Sequence, residues 1–440
     1  MSKDQRVRTR DFLMGLAKAF AKYGAPSHRI EYLLELVALA LEQPASFVVI
    51  PGVIWVSFGD EDHESSTHLI KVGQSWHMYK LSLVNRLCKN VIAGDLEVRG
   101  AVDRLNVIAA EPDWGVGWSW AAYPVVSFTI CMIGFGGTWV DGAISAVLGL
   151  GVGATLLRAF PHLIPFLDAF LASFISRVIM TAFRKYQPTY CYNHVSIVLS
   201  AIVNLLPGLS ITISLIEVAT KNIVSGTVRI FSALFHASML GFGITSGRAV
   251  VTWAPDNIDD TTLTHCPPAI SPLWNFLFFP PLCFSFLILF EARRPQFLHI
   301  SLVSTIGYTV YSVLSTLPQF STSAGQVVPN AISAFTIGVA ANIYSRLTKD
   351  VAVPAIIVGI VMLVPGSMGV RATLGFFGKN STDAVQVVFE MLMIGMSIGI
   401  GLFMASLAVF PIKGPRYKVG FLQNSQARFH PKLTIFLNSI

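Results

Sequence analysis

From Trp114 to Phe410 the chain is written in apolar blocks of membrane-crossing length, and this constrains its fold more than any other feature. A hydrocarbon core about 30 Å thick takes roughly 20 apolar residues of helix. Segments 120–140, 142–160, 163–183, 191–206, 223–247, 272–290, 298–317, 327–346, 350–364 and 384–410 approach that length. In lipid the backbone must satisfy its own hydrogen bonds, so such segments are expected as helices. Composition agrees: 53% of the 440 residues are hydrophobic and 12% are charged, where a soluble domain carries about 25% charge.

The charges are unevenly placed. Residues 1–118 hold 13 basic and 14 acidic side chains, while the last 30 residues hold five charges, all basic. This predicts a polar α+β head (1–118), two membrane units (119–262 and 263–411) and a basic tail (412–440). The net charge of +7 is spread along the chain, which argues against nucleic-acid binding, since that needs a basic face on one domain. The first thirty residues lack the apolar core of a signal peptide. Ten spans would then leave both termini cytosolic, with Arg293-Arg294 and the Ser345–Asp350 loop inside, although Arg184 and Lys185 fall on the opposite side. Which cellular membrane is involved is left open. The five cysteines show no metal-ligand or disulfide spacing, so no cofactor or metal is expected.

In the head, the stretches opening at Arg10 and Ser27 have helical period, the second with Ser27 read as its cap. Ser46–Asp60 and Thr67–Val72 read as strands, broken by Pro51-Gly52 and by the acidic turn at Asp60, Glu61, Asp62 and Glu64. Helical period returns from Met78 to Pro112, with Gly94-Asp95 as stop and start.

The apolar region repeats itself. Sliding residues 204–247 by 158 positions onto 362–405 needs no gap and matches Leu205, Pro207, Gly208, Lys221, Asn222, Phe231, Leu234, Gly241 and Gly243 with identical residues. Upstream, Ala172–Arg177 resembles Ala341–Arg346 with about eleven extra residues in the first copy. Two five-span units must enter the membrane in opposite senses, the inverted repeat of many secondary transporters, whose substrate binds beside discontinuous helices at the repeat interface. The matched short spans at Pro207-Gly208 and Pro365-Gly366 are the expected breaks, and Asn204, Pro207, Gly208, Pro365 and Gly366 the expected substrate-binding residues.

Charged side chains near the bilayer centre cost about 2.5 kcal/mol or more, so they face protein or a wet path. Asp168, Arg177, Glu217, Arg229, His236, Arg346 and Glu390 are the candidates for that path, with His194 and Asn342 beside them. Asn222, Arg229 and His236 recur every seven residues and share one helix face. No nucleophile-elbow, zinc-protease or P-loop motif occurs, so no catalytic residue is assigned and the chain is read as a non-enzyme.

The phrase Gly24-Ala25-Pro26-Ser27-His28-Arg29-Ile30-Glu31, followed by Val56–Asp60, His68–Val72 and Lys80–Leu105, resembles the threonine/serine exporter family, in its fungal branch. The Pro-Gly repeats look like that family's two membrane modules. The resemblance implies proton-driven export of a small hydroxy amino acid, with dicarboxylates the substrates of related chains. Expected partners are a small amino acid or organic acid, protons and the bilayer; self-association is left open. The alternatives are a signalling or hydrolytic protein acting through its head, and a membrane scaffold.

Overall fold

The computed structural model describes residues 3–59, 65–153, 163–186, 192–251, 273–320, 325–348, 350–377 and 381–410. The acidic turn at Asp60–Glu64, Cys191, Cys266, the loop at 252–272, Lys379-Asn380 and the basic tail from 411 fall outside them.

The head begins with α1 (Lys3–Lys22) and α2 (Ser27–Ala40). An antiparallel meander follows, β1 (Ala45–Ile50), β2 (Val53–Phe58) and β3 (Ser66–Lys71), then α3 (Met78–Ala93) and α4 (Val98–Ala110). Pro51-Gly52 is the two-residue turn between β1 and β2, and Gly52 takes the positive φ such a turn demands. Strand alternation sends Ile54, Val56 and Phe58 inward and leaves Trp55 exposed. The inward side chains share one core with Phe12, Leu13, Leu16 and Phe20 of α1 and Leu34 of α2. Gly94, at φ +80°, terminates α3. One local expectation fails: Ser27 does not cap α2. Pro26 holds the cap position, and the Ser27 amide and hydroxyl point away from the head.

The remaining helices are α5 (Val116–Gly134), α6 (Trp139–Gly153), α7 (Ile164–Tyr186), α8 (His194–Ala201), α9 (Gly208–Ala219) and α10 (Ile223–Val250), then α11 (Leu273–Leu289), α12 (Arg294–Ser315), α13 (Val327–Thr348), α14 (Val353–Ile360), α15 (Gly366–Phe377) and α16 (Ser381–Val409). Among the described residues six helices are long and apolar enough to cross a bilayer, or seven if the pair His194–Ala201 and Val203–Ala219, bent by 60°, is counted as one span. Helices α6 and α11 are apolar but shorter.

At both Pro-Gly elements the helix breaks, as expected, and a further helix follows that the expected segments did not include. Proline ends a helix behind it by clashing with the preceding turn, yet it suits the start of the next one, and α9 and α15 begin at Gly208 and Gly366. The polar residues Ser210, Thr212, Ser214 and Glu217 hide this continuation in the sequence, because all but Ser210 are buried against protein.

The order of three helices, a short helix, a Pro-Gly, a twelve-residue helix and a long helix thus occurs twice. Packing follows the order: α10 lies on α7 as α16 lies on α13, and across the halves α10 meets α15 while α16 meets α9. Gly243 abuts the backbone at Phe166 and Phe170 with Ala169 between, and Gly401 abuts Ala331 and Phe335 with Ala334 between. These neighbours are 165 positions apart in each pair, one helical turn from the register that the Ala172–Arg177 likeness implies.

The head is fastened to this body. Arg86 of α3 makes a two-pronged ion pair with Asp350, at 2.6 and 2.7 Å. The amides of Met78 and Tyr79 donate to the carbonyls of Phe290 and Glu291.

Candidate functional site

Proline and glycine set the centre of the site. α8 unwinds through a single 3-10 turn at Val203–Leu205, and Pro207 takes the cap position of α9 with no side chain satisfying the freed amides. The first amides of a helix have no partner within it. The break before α15 lies directly against the first: a Cβ on Gly208 would come within 2.6 Å of the Gly366 amide nitrogen and of Val364. Two helix amino termini therefore converge, each carrying roughly half a positive charge.

They open on a cavity of about 670 Å³. Its walls are the first break (Asn204 to Ser210), the second (Met362, Val364, Gly366 and Ser367), one face of α10 (Arg229, Ser232, Ala233 and His236), aromatic residues of α5 and α11, and Pro51, Gln74 and Trp76 from the head. Among the described residues no Asp or Glu lines it. The polar stripe expected on α10 does face this space, and His236 donates from Nε2 to the carbonyl of Leu205 at the break, 3.0 Å away. Asn222 lies outside the cavity and donates to Glu31 of the head at 3.2 Å.

The other polar candidates are dispersed. Glu217 is fully buried at the end of α9 and accepts from Nε and Nη2 of Arg229 at 3.1 and 3.3 Å, from the Ser225 hydroxyl at 3.1 Å and from the Ser27 amide at 3.0 Å. Arg229 spends its remaining prong on the side-chain oxygen of Gln74, at 2.7 Å. Asp168 and Arg177 are buried on α7. The matched Arg346 is exposed and donates to the carbonyl of Val409. Glu390 is partly exposed on α16 and accepts from Gln386 at 2.8 Å. His194 is held between the hydroxyls of Ser173 and Ser176, and Asn342 is buried. Cys88, Cys131 and Cys283 are buried free thiols.

Sequence reasoning missed the head's share of the site. Gln74 and Trp76 sit in an irregular stretch between β3 and α3, where no periodicity marks a functional residue; only their place after a strand of the head was legible.

Comparison with known proteins gives two adjoining family matches. Residues 11–251 match the family described as "Putative threonine/serine exporter", and residues 275–408 match "Threonine/Serine exporter, ThrE". An uncharacterised protein of Schizosaccharomyces pombe is 30% identical over 92% of this chain and 56% of its own length. The pheromone-regulated membrane protein 10 of Yarrowia lipolytica is 29% identical over 91% of this chain and 37% of its own, and that of Saccharomyces cerevisiae 30% over 91% and 54%. The chain spans about half the length of the curated relatives it matches, or less. No solved structure matches.

Proposed function

The chain belongs to the threonine/serine exporter family, and from that membership we propose that it is a secondary transporter that exports a small hydroxy amino acid. The two halves act as inverted repeats about the touching Pro-Gly breaks, ten spans in all, with α8–α9 and α14–α15 the broken spans. The recurring element order and the reciprocal packing of α10 on α15 and α16 on α9 support this reading. So do the paired neighbours of Gly243 and Gly401.

The observation that carries the proposal is the convergence of the amino termini of α9 and α15 on one cavity. The amides of these first turns that are not already engaged, as that of Gly366 is by the Val364 carbonyl, receive the substrate carboxylate, as the half-helices of other transporters do. Asn204 and the carbonyls freed at the breaks receive the ammonium and the hydroxyl. A proton drives the cycle, with His236 the carrier that faces the cavity; Glu217 is engaged by Arg229. The head and both termini are cytosolic.

A second reading has its own support. The cavity wall combines two helix amino termini with Arg229 and, among the described residues, no acid, a balance that suits a small dicarboxylate better than a zwitterion. Purified protein in proteoliposomes, given labelled threonine and a labelled four-carbon dicarboxylate in parallel, decides between them. Threonine flux that vanishes when Pro207 and Pro365 are both replaced by Ala supports the first reading. Dicarboxylate flux alone supports the second, and flux of either substrate unchanged by the double replacement removes the site.

A further inference from the structure

The cavity is bounded on one side by a different domain from the one that forms the rest of it. Gln74 and Trp76 of the head stand in its wall. Beside the Asn222–Glu31 bond, the head is fastened to two charged residues of the body. The Ser27 amide donates to Glu217 Oε1 at 3.0 Å, the Ser27 and Ser225 hydroxyls share a bond of 2.8 Å, and the Gln74 side chain accepts from Arg229 Nη1 at 2.7 Å. Glu217 sits at the end of α9, the half-helix whose start forms the Pro-Gly break, and Arg229 reaches both Glu217 and the cavity.

We infer that the head is the gate on its own side of the cavity, held shut in this conformation by Ser27 and Gln74 on the Glu217–Arg229 pair. The inference rests on the transport reading for its purpose but not for its geometry. Gln74 and Trp76, with Pro51, narrow the way for a solute entering from the head side, so the head lifts or tilts once per cycle. Lifting it removes a hydrogen bond from Glu217 and one from Arg229 together, which couples the gate to the far end of α9. Ser27 and Gln74 are positioning residues here, because they act through that pair and not on the substrate.

Ser27 offers a clean way to break the latch. It is the first residue of α2, where proline is tolerated, so Ser27→Pro deletes both the amide and the hydroxyl contact and leaves the helix intact. A reporter, Ser210→Cys in the cavity wall, is treated with a membrane-impermeant maleimide in open membrane fragments, with the parent chain as background. Labelling at least fivefold faster when Ser27→Pro and Gln74→Ala are added supports the gate, and any smaller increase overturns it. If the double variant does not purify as a single species, Gln74→Ala alone carries the test at the same threshold.

The opposite manipulation is Ser27→Cys with Ser225→Cys. The two hydroxyl oxygens are close enough for a disulfide between the replacements to close the latch. Complete cross-linking should cut labelling of the reporter, or flux of whichever substrate is carried, at least fivefold, with recovery on reduction; unchanged rates overturn the gate. A chain that carries no threonine but shows the labelling difference defeats the substrate assignment and keeps the gate. Threonine flux without the labelling difference does the reverse.

Discussion

A Cβ added to Gly208 would stand 2.4 Å from the Cα of Gly366, so the two Pro-Gly breaks touch through bare backbone. The contact is not symmetric in its demands. A Cβ on Gly366 meets Leu206 at 3.2 Å and the Gly208 backbone at 3.4 Å, distances that a small shift relieves. Gly208→Ala should therefore force the breaks apart, at an overpacking cost of about 1–3 kcal/mol, and reduce flux at least tenfold. Gly366→Ala should keep flux within threefold. Equal losses from the two replacements would mean that the contact does not place unequal demands on the two glycines.

Glu217 and Arg229 lose their balance if only one is removed. Breaking a buried pair typically costs about 3–5 kcal/mol, because a charge is left without its partner. Glu217→Ala should lower the stability of the purified chain by about that much. Glu217→Gln keeps an acceptor for the Ser27 amide and should lower it less. In a double-mutant cycle, Glu217→Ala with Arg229→Ala should destabilise by less than the two single changes added together. Denaturation in detergent measures all four chains, and strict additivity would show that the pair is not coupled.

Local pattern carried the reading a long way. The strands either side of Pro51-Gly52 were legible, Pro51-Gly52 is the hairpin turn, and Gly94 ends its helix, because each of these is decided within a few residues. The matched Pro-Gly elements were visible as text, and the structure brings them into contact. What local pattern does not carry is the partner of a polar residue. Nothing near Ser27 says that its amide meets Glu217, 190 positions away, and a serine before a helical stretch reads as a cap. The continuation of α9 past Pro207 was hidden for a related reason: Thr212, Ser214 and Glu217 look like the end of a span until their buried surroundings are known.

Arg86 and Asp350 form another charged link between head and body, and it should behave differently. The Arg86 side chain is 57% exposed, and exposed pairs are worth about 0–1 kcal/mol. Arg86→Ala should shift stability by less than about 1 kcal/mol even though its geometry is two-pronged. The shift should shrink further in high salt, since screening acts on exposed charges. A loss as large as that of Glu217→Ala would make this link, and not the Ser27 contact, the principal fastening of the head.

His28 gives the assembly a dependence on pH. Its two ring nitrogens are buried and have no hydrogen-bond partner among the described residues. Burial pushes its pKa from 6.5 down to about 4, against the pull of Glu217 and with the help of Arg29 and Arg229. The folded chain therefore refuses a proton that the unfolded chain accepts. Stability from this group is complete above pH 6.5 and is lost as pH falls from there toward 4, by about 3 kcal/mol at most, given about 1.4 kcal/mol per unit. His28→Gln has no titrating ring, so its melting temperature should fall less than that of the parent chain between pH 7.5 and 5. Parallel curves for the two chains would mean that the ring is protonated or solvated in the folded state, and the placement of α2 against Glu217 and Ser225 would have to be redrawn.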